Sequence, residues 1–247
     1  MNAFRRPVRS LAALLAVGAL TLAGCAGDEG DTSGSAEAGA SLTASSSGRE
    51  DTSASDSADA ESDESPLVAL ARDSADDPRA LGDPEAPVKV LLFTDPSCPH
   101  CSNFHENVLP KLQSDYIDDG EVYLEVHDLG VLGEDSVKMS AASRAAADQG
   151  RYFEYIDQLY PATLNGETRG VDDDQLVEWA EAAGVPEIDT FREAISGEDL
   201  AANVQFDSEA ATNAGLKVVP TVIVNGKEAE NVEEPDAFLP QIDEQLD

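Results

Sequence analysis

Two rhythms of apolar and polar positions run through the chain from Leu81 onward. Val88-Lys89-Val90-Leu91-Leu92-Phe93 is a nearly continuous apolar run after the turn-forming stretch Gly82-Asp83-Pro84-Glu85-Ala86-Pro87. That is the pattern of a buried parallel strand. Cys101, Phe104, Val108, Leu112 and Tyr116 then recur at helical spacing, which predicts a helix to about Ile117. Pro110 should kink it, and Asp119-Gly120 should end it. Positions 121–126 alternate polar and apolar and read as a second strand. Helices are predicted over 134–149, 152–160, 172–183, 188–195 and 200–214. Val218-Val219-Pro220-Thr221-Val222-Ile223-Val224 reads as a strand with a proline near its start. Asn225-Gly226 is a strong hairpin turn, so a short strand should follow over 227–229. Phe238, Leu239, Ile242 and Leu246 mark a last amphipathic helix.

The order is strand, helix, strand, several helices, strand, strand, helix. Set the middle helices aside and a βαβ unit is followed by a ββα unit. The expectation is an α/β domain over 81–247, with a helical insertion between its two halves. A segment of this length can bury a sizeable core.

The pattern fails upstream. From Ala26 to about Ala80 the chain is Ser, Ala, Gly, Asp and Glu with almost no large apolar residues. Such a stretch buries too little surface to offset the entropy of ordering. It reads as a disordered acidic linker over 25–80, with a root-mean-square reach of roughly 40 Å. Ahead of it, Arg5, Arg6 and Arg9 precede an apolar run from Leu11 to Leu22. That is the layout of a signal peptide over 1–24, and the run is short for a membrane span. It closes in Leu22-Ala23-Gly24-Cys25, which resembles the bacterial lipobox. The resemblance implies cleavage before Cys25, a diacylglyceryl group on its sulfur, and a membrane-anchored protein on the extracytoplasmic side. The alternative to the lipobox is an ordinary secretory signal with a stray cysteine.

Charge narrows the function. The chain carries 15 Lys and Arg against 50 Asp and Glu, a formal net charge of −35. From Ala86 onward there are 34 acids against 9 bases. A nucleic-acid partner is excluded on this balance. The acidity suits solubility, steering of cationic partners, or a salty environment.

The chemistry sits in Cys98-Pro99-His100-Cys101, at the end of the first strand and the start of the first helix. Cys25, Cys98 and Cys101 are the three cysteines of the chain. If Cys25 carries lipid, the remaining pair has no third thiol beside it. A thiol at a helix N-terminus faces the positive end of the dipole and unpaired backbone N–H groups. Both favour the thiolate, so a C-x-x-C here is a redox signal. Pro99 fits the first helical turn, where a missing N–H costs nothing. His100 is placed to add charge or donors. A thiol pKa lowered by two to four units favours the reduced pair by roughly 3–6 kcal/mol and makes its disulfide an oxidant. Two bland alternatives stand beside this: a static disulfide closing one turn, or a metal site. The second needs further ligands, and His105 and His127 are the remaining histidines. No metal or other cofactor is expected.

Together, Gly82 to Val88, Phe93-Thr94-Asp95, the C-P-H-C tetrad, Val219-Pro220-Thr221 and Asn225-Gly226 resemble the DsbA-like branch of the thioredoxin superfamily, including tethered lipoprotein forms. The resemblance spans essentially 81–246. It implies a thioredoxin-like fold and a thiol-disulfide oxidoreductase. It implies that Cys98 is the exposed nucleophile, Cys101 the buried resolving thiol, and Pro220 a cis-proline against the dithiol. Val219 would offer its backbone to an extended substrate, with Pro99 and Pro220 beside it. Exported polypeptides with cysteine pairs would be the substrates, and a membrane redox partner would recycle the dithiol. Two departures bear on substrate preference: many tethered members carry an aromatic residue where Pro96 stands, and Thr where Val219 stands.

Other residues carry weaker signals. His105, one turn after Cys101, reads as a packed or surface histidine before a proton relay. His127 is given no role. Asp95 is as readily a turn cap as a proton acceptor for Cys101. Trp179 and Met139 read as core. The competing functions are a reductase or isomerase on the same fold, and a tethered binding or chaperone-like lipoprotein without turnover.

Overall fold

The computed structural model describes residues 64–247. The readings placed on 1–63, including the signal, the lipobox at Cys25 and most of the linker, lie outside the described residues. The described part begins with a single 3-10 turn, Pro66–Leu70, and strand β1, Ala80–Leu81. Strand β2 is Val88–Thr94 and leads into helix α1, Pro99–Asn107. Helix α2, Leu109–Leu112, and a π turn, Gln113–Ile117, continue the helical path. Strand β3 is Val122–Asp128. Then come α3 (Glu134–Ala147), α4 (Tyr152–Leu164), α5 (Asp173–Ala182), α6 (Ile188–Ser196) and α7 (Asp199–Asn213). Strands β4 (Thr221–Val224) and β5 (Lys227–Glu228) and helix α8 (Pro235–Leu246) close the chain.

The sheet order is β1-β3-β2-β4-β5. β2 and β3 run parallel, Val88 opposite Val122 and Thr94 opposite Asp128. β4 is antiparallel to β2, Val90 opposite Val224 and Phe93 opposite Thr221. This is the thioredoxin-like fold, with five helices inserted between its halves. Asn225 and Gly226 both have positive φ, 43° and 90°, as the two-residue turn between β4 and β5 requires.

Alternation along β2 sorts its side chains between two cores. Val88, Val90 and Leu92 pack with Phe104, Leu112, Phe238 and Ile242 on the side of α1 and α8. Leu91 and Phe93 face the other way and join Ile223, Leu129, Ala211, Leu216 and Leu67. Both faces are covered, which is why the run reads as unbroken.

Two expectations change. Residues 64–80 do not belong to the linker as far as the structure describes them. Leu67 is buried in the second core, and burying a leucine stabilises by roughly 1.5–3 kcal/mol. Arg72 donates its backbone N–H to both oxygens of Glu125, at 2.8 and 3.1 Å. Polar composition hid this segment because few apolar residues anchor it. Next, β4 begins at Thr221, so Val218, Val219 and Pro220 form a loop, and Val219-Pro220 is a cis peptide. The interruption expected at Pro110 is present: α1 ends at Asn107, α2 restarts with Pro110 in its opening turn, and the helical path runs to Ile117.

β3 also differs in kind from a half-exposed strand. All seven of its residues are buried. Asp128 is paired with Arg144 at 2.9 Å and Arg79 at 3.4 Å, and accepts from Tyr152 Oη at 3.2 Å. Burial pushes its carboxyl up, but the Arg144 and Arg79 charges outweigh this and hold it below the usual range. Glu125 behaves alike: burial is overcome by His127 and Arg72, and its pKa is lowered.

Candidate active site

Strand β2 delivers the chain to a tight turn built by Asp95. Its carbonyl accepts from Cys98 N at 3.0 Å and its Oδ1 from Ser97 N at 2.8 Å. Cys98 therefore caps α1 in an extended conformation, φ −88° and ψ 119°, with Pro99 next in line. The Ser102 N–H and hydroxyl both donate to the Cys98 carbonyl, at 3.0 and 3.2 Å. The thiols are free. They occupy the first turn of the helix, where N–H groups point at them.

The two thiols have opposite environments. Cys98 is lowered from 9.0 to about 6. The hydrogen bond from the Cys101 thiol is the main cause, burial opposes it, and the Cys101 and His100 N–H groups and the His100 charge add to it. Cys101 is pushed well above 9.0, first by burial and then by its bond to and repulsion from Cys98. The Asp95 N–H faces its sulfur at 3.4 Å. The expected exposed nucleophile needs a correction: Cys98 is 5% exposed and Cys101 1%. Cys98 is the more accessible of the pair, but little of it is exposed. The cis-proline loop packs against it, with Cys98 Sγ 3.5 Å from the Val219 carbonyl.

His100 and Pro99 are exposed on the rim. The His100 Nδ1 lies 2.8 Å from Glu233 Oε2. That hydrogen bond, then the Glu233 charge, then Cys98, raise the His100 pKa. Asn103 donates to the Glu233 carbonyl at 3.4 Å, so the stretch before α8 is fastened to α1.

Asp95 is fully buried, and burial raises its pKa against the pull of the backbone N–H groups around it. Its Oδ2 accepts from Val131 N at 2.9 Å and Leu132 N at 3.1 Å. Both carboxylate oxygens are thus engaged by amides, and it is the Asp95 backbone that faces Cys101. His105 is buried beneath the helix, with Nε2 2.9 Å from Asp157 and its ring 4.6 Å from that of Tyr160. Tyr160 Oη in turn is 2.8 Å from Thr94 Oγ1. His127 lies within β3, stacked on Phe93 with ring centres 4.6 Å apart. Its Nε2 is 2.7 Å from Glu125, and burial lowers its pKa. Neither histidine joins the dithiol in a ligand set, and among the described residues no group of three or more His, Cys, Asp or Glu is placed to hold a metal ion. Trp179 and Met139 are core residues.

Sequence reasoning missed Glu233, Val131 and Leu132. Glu233 is 133 positions from its histidine, and nothing local to either marks the pair. Val131 and Leu132 are 38% and 55% exposed, and Val218 64%. With Leu216 and Val219 they line a hollow of about 240 Å³ beside the dithiol. An apolar pair just after a strand is the one signal that pointed there.

Comparison with known proteins agrees with this geometry. A family profile described as thioredoxin matches residues 74–244. Probable disulfide bond formation protein D of Bacillus anthracis is 30% identical over 162 residues, covering 64% of this chain and 72% of that protein. Disulfide bond formation protein D of Bacillus subtilis is 27% identical over 168 residues, covering 67% and 76%. The crystal structure of oxidised BdbD from Bacillus subtilis matches with a TM-score of 0.64 and 26% identity, over 70% of this chain and 95% of that one. Wolbachia pipientis alpha-DsbA1 shares the fold, with a TM-score of 0.55 at 22% identity over 68% and 89%.

Proposed function

We propose that this chain, which belongs to the thioredoxin family as a DsbA-like thiol-disulfide oxidoreductase, works as an oxidant of cysteine pairs in exported polypeptides. The observation that carries the direction is the contrast between its two thiols: Cys98 lowered to about 6, Cys101 pushed far up.

The step runs from the disulfide form. A substrate thiolate attacks Cys98 Sγ. The Cys98–Cys101 bond breaks, and a mixed disulfide forms. Cys101 leaves with the electron pair and takes a proton. The second substrate thiol, deprotonated, then attacks the substrate sulfur of the mixed disulfide. The substrate disulfide closes, and Cys98 leaves as thiolate. Two electrons have moved from substrate to enzyme. With a pKa of about 6, the leaving thiolate is about nine-tenths ionised at pH 7, and low-pKa thiols leave faster. At pH 7 the same preference stabilises the reduced form by about 1.4 kcal/mol, which raises the potential by about 30 mV. During attack, an extended substrate would lie along the Val219 carbonyl, against Pro220 and Pro99. A membrane redox partner would return the pair to the disulfide.

The reading extends to place. The charged and apolar stretches ending in Leu22-Ala23-Gly24-Cys25 support export and a lipid on Cys25. One lipidated cysteine carries at least two chains, enough for stable anchoring. Fatty-acid labelling of the protein in cells, with and without Cys25→Ser, tests this. A soluble, unlabelled wild-type product overturns it. The direction is tested by equilibrating Cys98–Cys101 against glutathione. A potential near thioredoxin's, about −270 mV, would replace the oxidant with a reductase.

A further inference from the structure

We propose that Asp95 is a positioning residue that fastens the apolar wall of the substrate groove to the dithiol. Every polar group of this residue is engaged. Its carbonyl and Oδ1 hold Cys98 N and Ser97 N at 3.0 and 2.8 Å, and its N–H faces Cys101 Sγ at 3.4 Å. Its remaining oxygen, Oδ2, takes the amides of Val131 and Leu132 at 2.9 and 3.1 Å. One buried carboxylate therefore joins two loops that are far apart in sequence.

The arrangement of the second loop shows what is being held. The amides of Val131 and Leu132 point inward to Asp95, while their side chains remain exposed. Gly130 before them sits so close to α3 that a Cβ would fall 2.5 Å from the Val137 side chain and 2.9 Å from its Cα. Its own N–H is held by Ser208 at 2.9 Å. The two apolar side chains are thus pinned outward, lining the hollow shared with Leu216, Val218 and Val219. The far side of that hollow is the residue whose carbonyl touches Cys98 Sγ. A polypeptide lying along the Val219 carbonyl to reach Cys98 would contact this hollow, whereas a small thiol need not. A carboxylate suits the task because it accepts on both oxygens, and charged acceptors make the stronger bonds to N–H groups. An asparagine keeps one acceptor and turns the other into a donor facing two N–H groups.

The proposal rests on the reading of the dithiol as a polypeptide oxidant. Its test uses the full chain and two reductants: reduced glutathione and a reduced, unfolded polypeptide with one cysteine pair. Asp95→Asn should raise KM for the polypeptide about tenfold, the equivalent of ~1.4 kcal/mol. Its kcat/KM toward the polypeptide should fall about tenfold more than its rate with glutathione does. Leu132→Ala should raise the same KM, and Asp95→Asn should add little in that background, because both act on one wall. Equal losses toward both reductants, additive effects in the double variant, or an unchanged KM would each overturn the proposal. If Asp95→Asn does not fold, Asp95→Glu, which keeps the charge and displaces the acceptors, is measured with the same outcomes. A wild-type protein that reduces the polypeptide's disulfide sinks the oxidant reading alone, and the comparison of KM is then made in that direction.

Discussion

The carboxylate of Glu233 holds the imidazole of His100 at 2.8 Å, across 133 positions of sequence. The pair sits on the rim, with the histidine side chain 70% exposed, so solvent screens it. Glu233→Gln should lower the titration midpoint of His100, since the Glu233 hydrogen bond and charge are what raise it. Proton NMR of the ring through pH 5–9 reads this directly. An unchanged midpoint would show that Glu233 does not bias the imidazole.

The low pKa of Cys98 also predicts a pH-dependent gap between the two redox forms. An acid whose folded pKa is depressed contributes stability above its unfolded pKa and loses it as pH falls through the folded value. Here the folded value is about 6 against an ordinary 9.0. The oxidised form has no thiol to titrate. The reduced form should therefore gain about 2 kcal/mol over the oxidised form between pH 5 and pH 8. Urea unfolding of both forms at the two pH values measures it. A pH-independent gap would place the Cys98 midpoint elsewhere.

Removing one thiol at a time separates their roles. Cys98→Ser should abolish polypeptide oxidation. Cys101→Ser should leave the Cys98 thiolate able to attack a disulfide-bonded polypeptide, releasing one of its thiols, but unable to be released internally, so mixed disulfides should accumulate. Non-reducing gels with mass spectrometry identify the linked cysteine. Adducts forming equally at Cys101 in Cys98→Ser would reverse the assignment, against the accessibilities of 5% and 1%.

A chain begun at Leu81 should be markedly less stable than one begun at Glu64. The deletion removes Arg72 and its two amide bonds to Glu125, which is fully buried. It also removes Arg79 from Asp128. Breaking a buried ion pair by taking away one partner costs about 3–5 kcal/mol. Denaturant midpoints of the two chains test this, and equal midpoints would mean that the segment is dispensable.

The parts legible in the sequence are those whose signal is local. The apolar run of β2, the proline-started helix at Cys98, and the Asn225-Gly226 turn each follow from neighbouring residues. What escaped depends on remote partners. Glu125 and Asp128 read as exposed charges, but Arg72 and Arg79 from the segment before β1, and Arg144 from α3, pair with them. Val219 continues an apolar run yet belongs to a loop. Asp95 reads as a cap from its position, and its hold on Val131 and Leu132 is visible only when the second loop is in place.

The described chain starts at one particular corner of the sheet. Ser65 donates to the carbonyl of Gly226 at 2.7 Å, in the turn that follows Val224. Val224 lies opposite Val90, near the start of β2, while Cys98 follows its far end. A seven-residue strand, roughly 23 Å long, separates the two. The first described residues and the dithiol therefore stand at opposite ends of β2, so the sulfur chemistry lies at the end of the sheet farthest from Glu64.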